Sequence, residues 1–441
     1  MTLTRLASGA LAVAAFAFIG LVPAAATSVS RVISPGGIEA WVVENHTVPL
    51  IALDFAFVGG ANEDPADKPG VANMVASLLD EGAGNLDAMA FHERVEGHAI
   101  ELGFSTGRDT FHGSVRTLRE NREVAFDLLR LALTGARFDT EAVERIRGAV
   151  LTGLRRETTS PNDIAVRHWW QTAFPDHPYG RPARGTPDTV SRITVDDLKA
   201  YAQHVFARGT LKIALVGDID ASEAGALIDQ VFGTLPASAQ LREVEAATPQ
   251  GLGRRVVVDL DVPQAVVMFG GQGIARREPD FFPAYIVNHI LGGGAMSSRL
   301  YTEVREKRGL AYGIHTGLVS LDHAALVLGS TGTRADKASE TLQIIEEQIA
   351  KVAESGPSEE ELAKAKSFLI GSYALAFDTS TKIAAQLVQI QLDNLGVDYI
   401  DHRNSLVEAV SPVDVRRVAK RLFAGPMLFT VVGRPEGVTS N

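Results

Sequence analysis

The 441-residue chain contains no cysteine. That absence excludes disulfide scaffolds, thiolate zinc sites, iron–sulfur clusters and cysteine nucleophiles together. Positive charge is also in deficit. Forty-two Lys and Arg stand against 53 Asp and Glu, a net −11, which argues against a nucleic-acid partner. Beyond the N-terminus no apolar run reaches the roughly 18 residues of a membrane span. Neither H-E-x-x-H nor H-x-x-E-H occurs, and no P-loop or strand-linked G-x-G-x-x-G is present. Any metal would have to rest on His, Asp and Glu, so the 11 histidines are the inventory to audit. What remains is ample material for a core, with 46% hydrophobic and 22% charged residues. At about 150 residues per domain, the length suggests two to four domains.

Arg5 is the only charge in the first 30 residues, and an apolar run from Ala10 to Val22 leads to Pro23-Ala24-Ala25-Ala26. A charged start, an apolar middle and an A-x-A end read as a secretory signal over residues 1–26. With no Cys behind it to carry a lipid, the expectation is an exported protein of a bacterial periplasm. No membrane insertion is expected after the signal is removed.

The rest of the chain repeats itself. Ile193-Thr194-Val195-Asp196-Asp197-Leu198 returns 217 residues later as Val410-Ser411-Pro412-Val413-Asp414-Val415. Both copies place Asp three residues after Ser or Thr, a helix-start signal. Both helices run to a Phe, Phe206 and Phe423, and each is followed by a short apolar strand ending in Gly. Phe138–Val143 answers Pro357–Leu362, and Leu78–Gly82 answers Ile290–Gly294, in the same order and at nearly the same shift. The expected organisation is two homologous halves, residues 28–240 and 251–441, joined by the polar stretch near Pro236 to Gly253. Ile51–Val58 and Arg255–Phe269 are β-rich. Val71, Met74, Val75, Leu78 and Leu79 keep helical spacing, and Val124–Leu133 and Thr341–Val352 are further helices. Strands and helices do not alternate strictly, which favours α+β halves, each a largely antiparallel sheet packed by helices.

Candidate chemistry is sparse. His92 and Glu96 would share a helical face at i, i+4, but a zinc site needs a third aligned ligand and nothing points to one. The pair reads as solvated surface, and His112 in Thr110–Ser114 reads as a structural residue on a strand. The informative segment is Gly292–Gly317, GGGAMSSRLYTEVREKRGLAYGIHTG. Its glycines break a helix before a second one, Ser298–Lys307, which Gly309 ends as a C-cap. Arg305 and Tyr312 stand on either side of that glycine.

These elements resemble the pitrilysin/insulinase family of zinc peptidases, in the two-half size class of mitochondrial processing peptidase. The residues that carry the resemblance are Gly59-Gly60-Ala61-Asn62-Glu63 with Pro69-Gly70-Val71-Ala72, His177-Pro178-Tyr179-Gly180-Arg181-Pro182, and above all Leu300–Tyr312 with its REKRGLAY element. The resemblance spans essentially the whole mature chain and implies half of a clam-shell peptidase chamber. It also implies where zinc would sit. Active members place H-x-x-E-H directly after G-[LV]-A, which falls here on Asn73-Met74-Val75-Ala76-Ser77. Asn73 and Ser77 stand for the two His ligands and Ala76 for the general base. A third ligand, Glu, would fall near Thr152-Gly153. All four groups are gone. The duplicate window offers Tyr285, Asn288 and His289, which do not rebuild the site.

The family's second element persists. Its Arg and Tyr face the zinc site across the chamber and hold substrate, and they fall on Arg305 and Tyr312. Arg305 would donate to peptide carbonyls and the Tyr312 hydroxyl would stabilise a tetrahedral oxyanion. The resemblance therefore implies the non-zinc subunit of a heterodimeric metallopeptidase. No cofactor is expected in this chain, and zinc is expected in a homologous partner bearing H-x-x-E-H. A non-catalytic scaffold or peptide-binding protein of the same fold is the alternative.

Overall fold

The computed structural model describes residues 28–441, so the expected signal segment 1–26 lies outside the described residues. Two sheets organise the chain. The first is built from β1 (Ser30–Ile33), β2 (Glu39–Glu44), β3 (Leu50–Val58), β4 (Glu101–Thr106), β5 (Thr110–Leu118) and β6 (Leu211–Gly217), in the order β1-β2-β6-β3-β5-β4. The second contains β7 (Arg255–Val258), β8 (Gln264–Gln272), β9 (Ala311–Ser320), β10 (Ala325–Arg334) and β11 (Leu428–Val432), in the order β7-β11-β8-β10-β9. Without the extra edge strand β1, the two orders are the same. In each sheet one neighbouring pair is parallel, β2 with β6 and β7 with β11, and the others are antiparallel. The β-rich run Arg255–Phe269 is interrupted by Asp259–Pro263, where Pro263 has no N–H to give a ladder.

The repeated helix starts are real caps. Thr194 and Asp197 form a reciprocal capping box on the helix Val195–Val205, and Ser411 and Asp414 form one on Pro412–Phe423. The apolar face read from Val71 to Leu79 is fully buried. Its regular helix, Val71–Ala76, is shorter than the spacing suggests, and tighter turns carry the chain onward. There Leu78 N–H reaches back only to Val75 O at 3.0 Å.

Helices cover one face of each sheet from its own half. Ala125, Leu129, Ile228 and Phe232 close on Phe55 and Leu53 in the first. Leu342, Ile345, Val418 and Leu422 close on Val267 and Phe269 in the second. The other faces are closed reciprocally. The helix Pro161–Ala173 of the first half lies on the second sheet, its Ile164, Trp169 and Trp170 packed with Val266, Met268 and Leu428. The helix Ser380–Leu392 of the second half lies on the first sheet, its Ile383, Leu387 and Val388 packed with Trp41, Ala56, Ala214 and Val216. Both helices are 13 residues long, start 219 residues apart, and are capped by Ser160 and Thr379 at that same shift. Among the described residues no helix is long and apolar enough to cross a membrane.

Candidate functional site

The window expected to hold zinc ligands begins at Gly70, whose φ of 107° is left-handed. A Cβ there would lie 2.9 Å from the Arg184 carbonyl oxygen, so the chain needs glycine. The carboxylate of Asp64 accepts the N–H groups of Gly70 at 2.6 Å and Ala72 at 2.8 Å, fixing the helix start. Burial pushes the Asp64 carboxyl up to about 7 against the pull of those N–H groups. Asn73 and Ser77 then fall on one side of the helix and are half-buried, while Ala76 is buried. The Ser77 hydroxyl is spent on the Asn73 carbonyl at 2.9 Å. On the helix Thr140–Glu157, Thr152 donates to Gly148 O at 2.8 Å. A side chain at Gly153 would meet the Arg184 guanidinium at 3.4 Å. An amide, a methyl, an occupied hydroxyl and a nearby cation do not fit zinc, which takes imidazole and carboxylate. Among the described residues no group of three or more His, Asp or Glu side chains could hold a metal ion. That includes His92 and Glu96, which share a face of the helix Ala88–Gly97 without a third ligand.

The duplicate window is committed to packing. Asn288 donates to Thr316 O at 3.3 Å, and the His289 ring stacks on Phe368 with centroids 5.2 Å apart. Burial holds His289 below its ordinary pKa. Tyr285 lies 5.8 Å from the Arg403 guanidinium.

Arg305 and Tyr312, by contrast, are brought together. The path to them begins at Gly292–Gly294, where the chain runs against β9. A Cβ at Gly292 would lie 2.6 Å from Thr316 Oγ1. The helical turns on either side, His289–Gly293 and Tyr301–Glu306, are wound as wider π-helix, a departure that often accompanies functional sites. Gly309 then adopts φ 61°, with its N–H on Arg305 O and the Leu310 N–H on Val304 O, both at 2.9 Å. This is the expected glycine cap, and it reverses the chain into β9. The reversal lays the Arg305 guanidinium between two rings, 5.0 Å from Tyr301 and 4.6 Å from Tyr312. Its neighbours Lys307 and Arg308 are both taken by Glu303, at 2.7 and 2.6 Å. Arg305 makes no ion pair among the described residues. Cation–π contact of this kind is worth about 0.5–1 kcal/mol at an exposed site and leaves the guanidinium N–H edges available. Tyr312 is 87% exposed. Arg305 is half-buried, so the pair is an assembled donor set that opens to solvent at Tyr312.

A further set of functional-looking residues was visible in sequence only as part of the resemblance. Tyr179, fully buried, donates to Asp109 Oδ1 at 2.6 Å and accepts the His323 N–H at 3.1 Å. Asp109 also accepts from Asn62 at 3.2 Å and from the Asp322 N–H at 3.0 Å. Burial and the adjacent Asp109 carboxylate raise the Tyr179 pKa, so it stays a donor. The segments Gly59–Glu63 and His177–Pro182 therefore serve as a buried polar joint between the halves.

The family described as Insulinase (Peptidase family M16) matches residues 42–187, and Peptidase M16 inactive domain matches residues 192–369. The chain is 28% identical over 424 residues to an uncharacterized zinc protease of Streptomyces coelicolor, covering 92% of this chain and 90% of the relative. It is 26% identical over 363 residues to the non-peptidase homolog YmxG of Helicobacter pylori, covering 82% and 83%. The crystal structure of a peptidase M16 inactive domain from Pseudomonas fluorescens superimposes with a TM-score of 0.87 at 27% identity, over 93% of this chain and 99% of that one.

Proposed function

As this chain belongs to the M16 insulinase family, with residues 192–369 matching its inactive-domain type, we propose that it is the non-zinc subunit of a heterodimeric periplasmic metallopeptidase. A homologous partner bearing H-x-x-E-H would face it across a chamber and supply the zinc and the base that activate water. In this reading Arg305 donates to backbone carbonyls of the peptide and holds it in register, its plane kept by Tyr301 and Tyr312. The Tyr312 hydroxyl donates to the oxygen that becomes negative when the scissile carbonyl turns tetrahedral. One contrast carries the reading. The zinc window is filled by Asn73, Ala76 and Ser77, whereas Arg305 and Tyr312 are stacked and without ion-pair partners among the described residues, Arg305 half-buried and Tyr312 exposed. The name non-peptidase homolog carried by one relative supports the same division, and the signal-like N-terminus supports the compartment.

The purified mature chain is expected to cleave no peptide, with or without added zinc. Activity is expected on adding an H-x-x-E-H partner, and Tyr312→Phe should lower that activity by roughly 10²–10³, the worth of one oxyanion donor. Cleavage by the chain alone that a chelator abolishes would overturn the proposal.

A further inference from the structure

Arginines without carboxylate partners line a pocket of about 250 Å³. It lies between the last turns of the helix Thr140–Glu157, the helix Pro161–Ala173 and the loop 180–187. That loop is fastened to the start of the vestigial zinc window. Thr189 Oγ1 donates to Pro69 O at 2.8 Å, and the loop backbone presses on Gly70. Four arginines line the pocket, Arg108, Arg167, Arg181 and Arg184, against the acids Glu157 and Asp163. Glu157 is paired with Arg184. Arg108, Arg167 and Arg181 make no ion pair among the described residues.

The site is built rather than incidental. The Arg108 guanidinium lies on the Trp170 ring, 3.8 Å from its centre, and among the described residues its side chain makes one hydrogen bond, a long one of 3.4 Å to Arg181 O. Arg181 donates to Asp64 O at 3.1 Å. Asp109, the nearest carboxylate to Arg108 in sequence, is already occupied by Tyr179, Asn62 and Asp322. Burial lowers Arg108 to about 10, which keeps it charged at neutral pH. A flat guanidinium stacked on an indole offers its edge donors to a planar anion, and such charge-assisted bonds are roughly twice as strong as neutral ones. The volume is below the roughly 300–1,000 Å³ of a typical small-molecule site, which suits one side chain or one chain end.

We infer that this pocket binds a carboxylate of the peptide held by the chain, carried either by an acidic side chain or by a free C-terminus. The inference rests on the reading that the chain holds peptide, and it names which peptides. Three heptapeptides test it, titrated calorimetrically into the mature chain alone. One is blocked at both ends with a central Glu, one is the same with Gln, and one has Gln with a free C-terminal carboxylate. At least one acidic peptide should bind about tenfold more tightly than the blocked Gln peptide, and whichever does so identifies the source of the carboxylate. Arg167→Gln should reduce that advantage to less than threefold without changing the thermal unfolding temperature, and Arg167→Lys should retain most of it. Arg305→Ala should weaken all three peptides alike. Equal binding of the three, or a carboxylate preference that survives Arg167→Gln, would overturn the pocket but leave peptide holding intact. Binding by none would overturn both.

Discussion

The helices Pro161–Ala173 and Ser380–Leu392 hold corresponding places, each lying on the other half's sheet, yet they seal with different chemistry. The first uses aromatic mass. Trp169 is wholly buried and its Nε1 donates to Leu428 O at 3.2 Å, while Trp170 stacks on Phe174. The second uses aliphatic side chains, Ile383, Leu387 and Val388, and Gln391 donates to Ile213 O at 2.9 Å. In both, a single polar side chain reaches a backbone carbonyl of the opposite sheet. The duplicated architecture preserves the place and the one hydrogen bond, while the apolar filling has diverged. The same divergence separates the two faces of the chemistry. The first half carries Asn73, Ala76 and Ser77 in its zinc window, and the second holds Arg305 stacked with Tyr312.

Breaking either seal should cost the most. Trp169→Ala is expected to destabilise by about 3–5 kcal/mol and Leu387→Ala by about 2–5, measured by denaturant unfolding. Because each helix closes the other half's core, either variant should lower a single transition rather than split it. Two separate transitions would show that the halves fold independently.

The sheet faces under these helices differ at one further point. In register, Ser330 of the second sheet stands beside Met268, and Ser114 of the first stands beside Asp54. Asp54 lies on the side of Ala56 and Ala214, which the helix Ser380–Leu392 covers, and burial pushes its carboxyl up to about 7. A carboxyl near 3.9 in the unfolded chain and near 7 in the folded one means the folded state retains the proton longer. Stability is therefore undiminished below pH 4, falls as pH rises from 4 to 7, and stays reduced above. Asp54→Asn should stabilise at pH 8 by about 2 kcal/mol, within the roughly 4 kcal/mol that three pKa units allow, and by little at pH 4. Equal gains at both pH values would exclude this account.

The smallest effects should come from the caps. Thr194→Ala and Ser411→Ala should each cost about 1 kcal/mol, and the double variant their sum, because distant sites add. Coupling beyond about 0.5 kcal/mol would mean that the two duplicated helix starts communicate.

The halves, their α+β character and the capped helices were legible because they rest on local signals, hydrophobic period and Ser or Thr with Asp three residues on. The reciprocal helices were not recognised. Their caps, Ser160 and Thr379, obey the same repeat and could have been found, but their apolar residues answer to a sheet built by the other half of the chain. At the candidate site, the resemblance placed Arg305 and Tyr312, but their stacking depends on the reversal at Gly309, which spacing alone does not reveal. In the joint of Asn62, Asp109, Tyr179 and His323, the segments holding Asn62 and Tyr179 were visible through the resemblance, but Asp109 and His323 belong to no motif, and His323 joins only when the halves meet. The arginine pocket is equally nonlocal, drawn from a strand turn, two helices and a loop.

The exchange of helices also orders events in time. A chain made from its N-terminus completes the strands of the first sheet at Gly217, but the helix that covers the face formed by Trp41, Ala56 and Val216 begins only at Ser380. Until then that apolar face has no cover from its own chain, although the first half's own helices already close the opposite face of the sheet. Closure comes as one late event, when the C-terminal part of the protein from Ser380 onward exists to supply the missing layer.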